Sequence, residues 1–233
     1  MSNNSKKILL IGATGLTGAY VLDLLQASSY CDSLVIWGRK APAELGNKSK
    51  FYSEIGNELQ CELTNVDTVI CCLGTTIKKA GSQENFRYID LELPMQIARL
   101  AREEKIPCFC LMSAVGANKD SNNFYLRVKG SLEMKLQALN FPELHIMRPS
   151  LLLGPRKEFR FGESAAKLFT PLFNPLLFGR MSPYKAIHAK EVAKALAFRA
   201  IQAEKADKFT ISHYKEIRDL ASKWDELHIN RQT

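Results

Sequence analysis

No two cysteines of this 233-residue sequence stand at C-x-x-C spacing, although six are present: Cys31, Cys61, Cys71, Cys72, Cys108 and Cys110. Four of them fall inside the apolar runs VICCLG and CFCLMS. That pattern argues against a zinc site and against a disulfide framework, so no metal ligands are expected. Buried free thiols in a reducing compartment are expected instead. No apolar run comes near the roughly 20 residues that a membrane-spanning helix needs. The opening MSNNSKKILLIG enters its apolar segment without a small-residue cleavage site, so no secretion signal is read there and a cytoplasmic location is expected. Blocks of like charge are missing too. Lys and Arg outnumber Asp and Glu by 32 to 24, and a net charge of +8 would attract nucleic acid, anionic lipid or a phosphorylated ligand. Yet no five basic residues are consecutive and aromatics do not interleave with them, so nucleic-acid binding is not expected. Internal repeats and low-complexity tracts are absent.

What is present is an ordinary globular composition, 46% hydrophobic and 24% charged, in a length that suits one domain with a small annex. Apolar runs alternate with stretches of helical period. Strands are predicted over 6–12, 33–38, 68–74, 108–113, 144–149 and 209–213, with a short candidate at 58–63. Helices are predicted over 16–28, 84–104, 124–139, 190–203 and 214–227, with Pro94 as a point of bending in the second. Alternating β and α elements with apolar strands imply a parallel sheet covered on both faces, a Rossmann-type doubly wound α/β fold. After Pro149 the texture changes, and 154–185 and 205–233 are read as a small substrate-side annex of a single domain spanning 1–233.

The first strand runs into GATGLTG, which places Gly12, Gly15 and Gly18 at a strand-to-helix turn. Glycine is needed there where backbone approaches a phosphate and where helix and strand pack closely. The helix N-terminus then offers N–H groups and a positive dipole end to a pyrophosphate, with Thr14 and Thr17 adding hydroxyls. In NAD binders an acidic residue about 20 positions on holds the ribose 2′-hydroxyl. Here that place reads Trp37-Gly38-Arg39-Lys40. A guanidinium pairs with a 2′-phosphate that an aspartate would repel, so NADP(H) is expected over NAD(H). Gly74, at the end of another strand, lets the chain pass close to a ligand on the same rim.

Ser113 ends a further strand on that rim, and Tyr125 and Lys129 share a helix face at i, i+4. A cationic Lys129 beside Tyr125 would favour the phenolate and reach the nicotinamide ribose. Tyr125 could then pass a proton to a carbonyl oxygen as hydride arrives, while Ser113 holds that oxygen. Read singly, each has a plainer use: Ser113 in a turn, Tyr125 half-buried, Lys129 in solvent.

With GATGLTG, the Ser113, Tyr125 and Lys129 set and RPSLLLGP (148–155) together, the sequence resembles the short-chain dehydrogenase/reductase superfamily, in its atypical or extended branch. CCLGTTIKKAG, SAVGANKDSNNFYLRVKG and MRPSLLLGP are similar to its Tat-interacting protein 2-like NAD(P)-binding group. The resemblance implies that residues 12–18, Leu16 included, bind the dinucleotide, that Arg39 takes the 2′-phosphate, and that Glu62 or Leu63 lies near the adenine. It also implies that Leu73, Gly74 and Thr75 pass the ribose and pyrophosphate, and that Arg148, Pro149 and Ser150 close the site near the nicotinamide. The expected activity is NADPH-dependent reduction of a small carbonyl compound. The group is also associated with cofactor-dependent regulatory binding, so an NADP(H)-responsive binding protein without significant turnover is the second expectation. Arg156, Lys157 and Arg160 lead us to expect an anionic group on the ligand. His188 is read as a capping or packing residue, and the apolar stripe of the Tyr125 helix suits a homodimer face as well as the core.

Overall fold

Leu9 and Ile11 point to one side of the first strand and Ile8 and Leu10 to the other, and all four are fully buried. A strand apolar on both faces must be covered on both faces, and the rest of the chain supplies the covers. The computed structural model describes residues 5–53, 55–56, 60, 62–155, 179–202 and 208–229. Its strands are β1 (Lys6–Ile11), β2 (Cys31–Trp37), β3 (Ser49–Tyr52), β4 (Thr68–Cys71), β5 (Cys108–Met112), β6 (Glu143–Met147), β7 (Leu152–Leu153), β8 (Ile187–His188) and β9 (Phe209–Ser212). Seven of these form one sheet in the order β3-β2-β1-β4-β5-β6-β9, with every pairing parallel. This is the expected Rossmann-type doubly wound sheet. Strands β7 and β8 make a separate small parallel pair.

Helix α1 (Leu16–Ala27) covers one face together with α6 (Ala189–Ile201) and α7 (Tyr214–Ile229). The other face carries α2 (Ile77–Ala80), α3 (Gln83–Arg87), α4 (Leu93–Glu103) and α5 (Phe124–Gln137). Between α3 and α4 the helix widens into one π turn, Tyr88–Glu92, in which the Leu93 N–H donates to Tyr88 O. Pro94 follows at once. It has no N–H for the carbonyl of Asp90, and the π turn stands at this point of the helix.

One sequence expectation differs here. The candidate strand at 58–63 is not one among its described residues, since Gln60 and Glu62 are helical and Leu63 begins a turn. The edge strand is β3, whose SKFY has two apolar residues and is half exposed, too weak a pattern to announce itself. Of the expected annex, 156–178 lies outside the described residues. The stretch 209–229 supplies the sheet edge β9 and the C-terminal helix α7, which packs on α6.

Candidate active site

Strand order reverses between β1 and β4, so the loops leaving their C-terminal ends diverge and open a crevice. Gly12, after β1, has φ +81°, and a Cβ there would stand 2.8 Å from the Cys72 carbonyl group after β4. Only glycine satisfies both demands. Gly15 caps α1, its N–H donating to Gly12 O at 2.9 Å. No side chain caps that helix, and no acidic residue lies in its first turn. Among the described residues no side chain is recorded accepting from the N–H groups of the first turn, the arrangement that suits an anion. Gly18 serves packing: a Cβ would fall 2.1 Å from Gly12 O.

The crevice has a volume of about 690 Å³ and brings together Gly12, Thr14, Gly15, Arg39, Lys40, Leu73, Gly74 and Thr75 from the expected set. Trp37, Lys79, Tyr88 and Ile89 also line it. Arg39, Lys40 and Lys79 are its cations, and no carboxylate is among its described lining residues. The Trp37 Nε1 is buried without a hydrogen-bond partner among the described residues. These features fit a phosphorylated dinucleotide.

Several expected cofactor residues lie elsewhere. Leu16 packs on Gly154, where a Cβ would come within 2.9 Å of its Cδ1, and Thr17 is buried in the α1 packing with no partner for its hydroxyl among the described residues. Glu62 sits at the other end of the sheet, 2.7 Å from Lys50 Nζ and 3.5 Å from Lys7 Nζ. The Lys50 hydrogen bond holds its carboxyl below the ordinary value. Leu63 is fully buried in the core. Neither Glu62 nor Leu63 lines the crevice, because the segment between β3 and β4 enters at the N-terminal end of the strands.

Ser113, Tyr125 and Lys129 stand beyond the crevice lining, on the loop after β5 and on α5. A Cβ at Gly130 would meet the Asn118 carbonyl carbon at 2.2 Å, so α5 lies directly on that loop. Tyr125 is half-buried and packs on Phe86, ring centroids 5.8 Å apart. Lys129 is 3% exposed, and its Nζ is 2.7 Å from Oδ1 of Asp90, which is 0% exposed. The second Asp90 oxygen accepts from the Thr75 N–H at 2.8 Å. Asp90 therefore ties the crevice loop to the helix of Tyr125, from the π turn whose Tyr88 and Ile89 line the crevice. Sequence reading sent Lys129 to a ribose, but a buried ammonium needs a buried anion, and Asp90 is the one it meets.

A second buried carboxylate captures Ser113. Its hydroxyl donates to Glu133, which also receives Arg148 Nε at 3.0 and 3.2 Å and Arg148 Nη2. Arg148 is thus held by the same carboxylate that engages Ser113. Pro149 O accepts from Val115 N at 2.9 Å, and the Ser150 hydroxyl donates to Lys185 O. The three residues bind the loops after β5 and β6 to each other and to the chain before β8. Arg156, Lys157 and Arg160 lie outside the described residues. His188 is the N-cap residue of α6 but makes no side-chain cap hydrogen bond. The five described cysteines are free and buried, and burial pushes the Cys31 and Cys71 thiols up to about 11, which leaves them inert near neutrality. Among the described residues no helix is long and apolar enough to cross a membrane.

No protein-family model matches the chain. Individual proteins do. Protein FMP52, mitochondrial, of Meyerozyma guilliermondii is 33% identical over 205 residues, covering 86% of this chain and 88% of its own. The Candida albicans protein of that name is 31% identical over 225 residues, covering 91% and 97%. Protein HTATIP2 of Rattus norvegicus is 32% identical over 178 residues, covering 70% and 73%. The mitochondrial names of the FMP52 relatives overturn the expectation of a cytoplasmic location, which rested only on the absence of a recognisable secretion signal. Among solved structures, MoeE5 in complex with UDP-glucose and NAD superposes with a TM-score of 0.65 at 13% identity, over 95% of this chain and 81% of its own. UDP-glucose 4-epimerase of Thermotoga maritima gives 0.62 at 16% identity, over 95% and 82%. With relatives more than 30% identical along most of its length, the chain belongs to the family of FMP52 and HTATIP2, and its sheet shares the fold of the solved structures above.

Proposed function

We propose that the chain is an NADP(H)-dependent oxidoreductase that reduces a small carbonyl compound. The observation that carries the cofactor half is the crevice at the strand-order reversal, with its cations and no carboxylate among its described lining residues. Gly12, Gly15 and the first-turn N–H groups of α1 would hold the pyrophosphate. Arg39 and Lys40 would hold the 2′-phosphate, and Leu73, Gly74 and Thr75 would flank the ribose. When bound, the dinucleotide supplies hydride to the carbonyl carbon. Tyr125 holds the proton that the carbonyl oxygen takes up. Lys129, fixed by Asp90, sets the charge beside Tyr125. Ser113, engaged by Glu133, orients the loop on which the substrate oxygen rests. The mitochondrial names of the FMP52 relatives make the mitochondrion the proposed location.

The same ion pairs favour a second reading. Lys129 is neutralised by Asp90 and Ser113 is engaged by Glu133, as suits a dinucleotide-responsive binding protein with little turnover. Steady-state oxidation of NADPH with a panel of small aldehydes and ketones separates the two. For the enzyme, Tyr125→Phe lowers kcat by roughly 100-fold or more while NADPH affinity stays within about twofold. NADPH binding with no turnover on any member of the panel would leave the binding protein.

A further inference from the structure

Strands β5 and β6 carry a second group of reactive side chains at their N-terminal ends, away from the crevice. Parallel register sets Cys108 beside Glu143 and Cys110 beside His145. Residues two apart on a strand share a face, so all four lie on one side of the sheet. That side is packed by α6: Cys108 and Cys110 belong to the same core cluster as Ala200 and Ile201. Cys108 and His145 are 0% exposed and Glu143 is 7% exposed. A thiol, a carboxylate and an imidazole gathered in an apolar interior are costly unless each is paired or ligates a metal.

His145 is paired with Glu143 and Thr210, and the geometry of the group also suits a metal ion. The Cys108 sulfur, a Glu143 oxygen and a His145 ring nitrogen lie within 4.8 Å of one another. His145 Nδ1 is 2.8 Å from Thr210 Oγ1 on β9, while Nε2 faces the Glu143 carboxylate at 3.3 Å. Metal-binding imidazoles are commonly fixed in this way, by a hydrogen bond at the nitrogen that does not ligate. Cys110 Sγ lies 3.9 Å from Cys108 Sγ. Around a tetrahedral zinc ion, ligand atoms stand about 3.3–3.8 Å apart, as bond lengths near 2.0–2.3 Å require. Small side-chain rotations bring the Cys108, Glu143 and His145 atoms to those separations, and the Cys110 sulfur already stands near that distance from Cys108.

We propose that Cys108, Glu143 and His145 form a structural zinc site, with Cys110 as the fourth ligand. Sulfur, imidazole and carboxylate together select a borderline-soft divalent ion. The site clamps β5 to β6 and, through Thr210, to β9, at the end of β5 opposite Ser113. It owes nothing to the dinucleotide reading, and stands or falls separately.

The test is Co²⁺ titration of the full-length chain after removal of bound metal by a chelator. The expected result is one equivalent of Co²⁺ with a sulfur-to-cobalt charge-transfer band and visible bands of tetrahedral form, both displaced by one equivalent of Zn²⁺. Cys108→Ser should abolish the charge-transfer band, whereas Cys71→Ser, on the other face of the sheet, should leave it intact. Thr210→Val should weaken Co²⁺ binding roughly 10- to 100-fold. Absence of the band from the unmutated chain overturns the site without recourse to any variant, as does a band that survives Cys108→Ser at full intensity.

Discussion

Replacing Asp90 by Asn tests the hub of the candidate site. The amide keeps the size of the carboxylate and can still accept from the Thr75 N–H, so the change isolates the charge. Lys129 is then left as a cation 3% exposed, facing a neutral group. Removing one partner of a buried pair costs about 3–5 kcal/mol. That is about a third to a half of a total stability near the middle of the usual range of about 5–15 kcal/mol. For a chain of this length it lowers Tm by roughly 6–20 °C, at about 2–4 °C per kcal/mol. Lys129→Met should cost a similar amount, because Asp90 loses its cation. The double variant replaces the charged pair by a neutral amide and an apolar chain, and should return to within about 2 kcal/mol of the unmutated protein. Urea unfolding followed by circular dichroism, with midpoint and slope fitted for all four proteins, measures the coupling directly. Two single variants each within about 1 kcal/mol of the parent would refute the buried pair, and so would a double variant that loses their sum.

Gly18→Ala places a Cβ against Gly12 O and Ala13 Cα, backbone atoms that cannot step aside. It should cost about 1–3 kcal/mol and weaken NADPH binding at least tenfold in a fluorescence titration. Gly38→Ala, whose Cβ would meet nothing nearer than 4.0 Å, should leave stability close to the parent's and serves as the control. His213 has a pKa lowered from the ordinary 6.5, first by burial and then by the Arg148 charge. The native state therefore refuses a proton that the unfolded chain accepts. Stability should be full above about pH 6.5 and fall as the pH drops below it. In thermal melts at pH 7 and pH 5.5, His213→Asn should lose less Tm between the two than the parent protein.

The sheet and its order of elements were legible because each central strand is an apolar run and the longer covering helices carry apolar residues at helical spacing. GATGLTG announced the turn after β1 because glycine there is a steric requirement, visible in Gly12 and Gly18. The partners of the charged and polar groups were not legible. Asp90 falls at a helical position in line with Phe86, Ile97 and Ala101, all buried. An acid in a buried stripe is the signal that could have found it, and Glu133, beside Leu132 and Leu136 on α5, carries the same signal. Each had to be matched to a cation far away in sequence, which spacing cannot do. The Cys108, Glu143 and His145 cluster was hidden for the same reason. Cys108 meets Glu143 and His145 only through the register of two parallel strands, so the search for C-x-x-C spacing passed it by.

The most direct measurement is a titration of the purified chain with NADPH and, separately, with NADH, following reduced-nicotinamide fluorescence. Charge-assisted hydrogen bonds to the 2′-phosphate from Arg39 and Lys40 should favour NADPH by roughly 10- to 100-fold. Arg39→Asp should reverse that order. Equal affinity for the two dinucleotides, or tighter binding of NADH, would contradict the charge argument. Binding of neither would contradict the proposal that this crevice is a dinucleotide site.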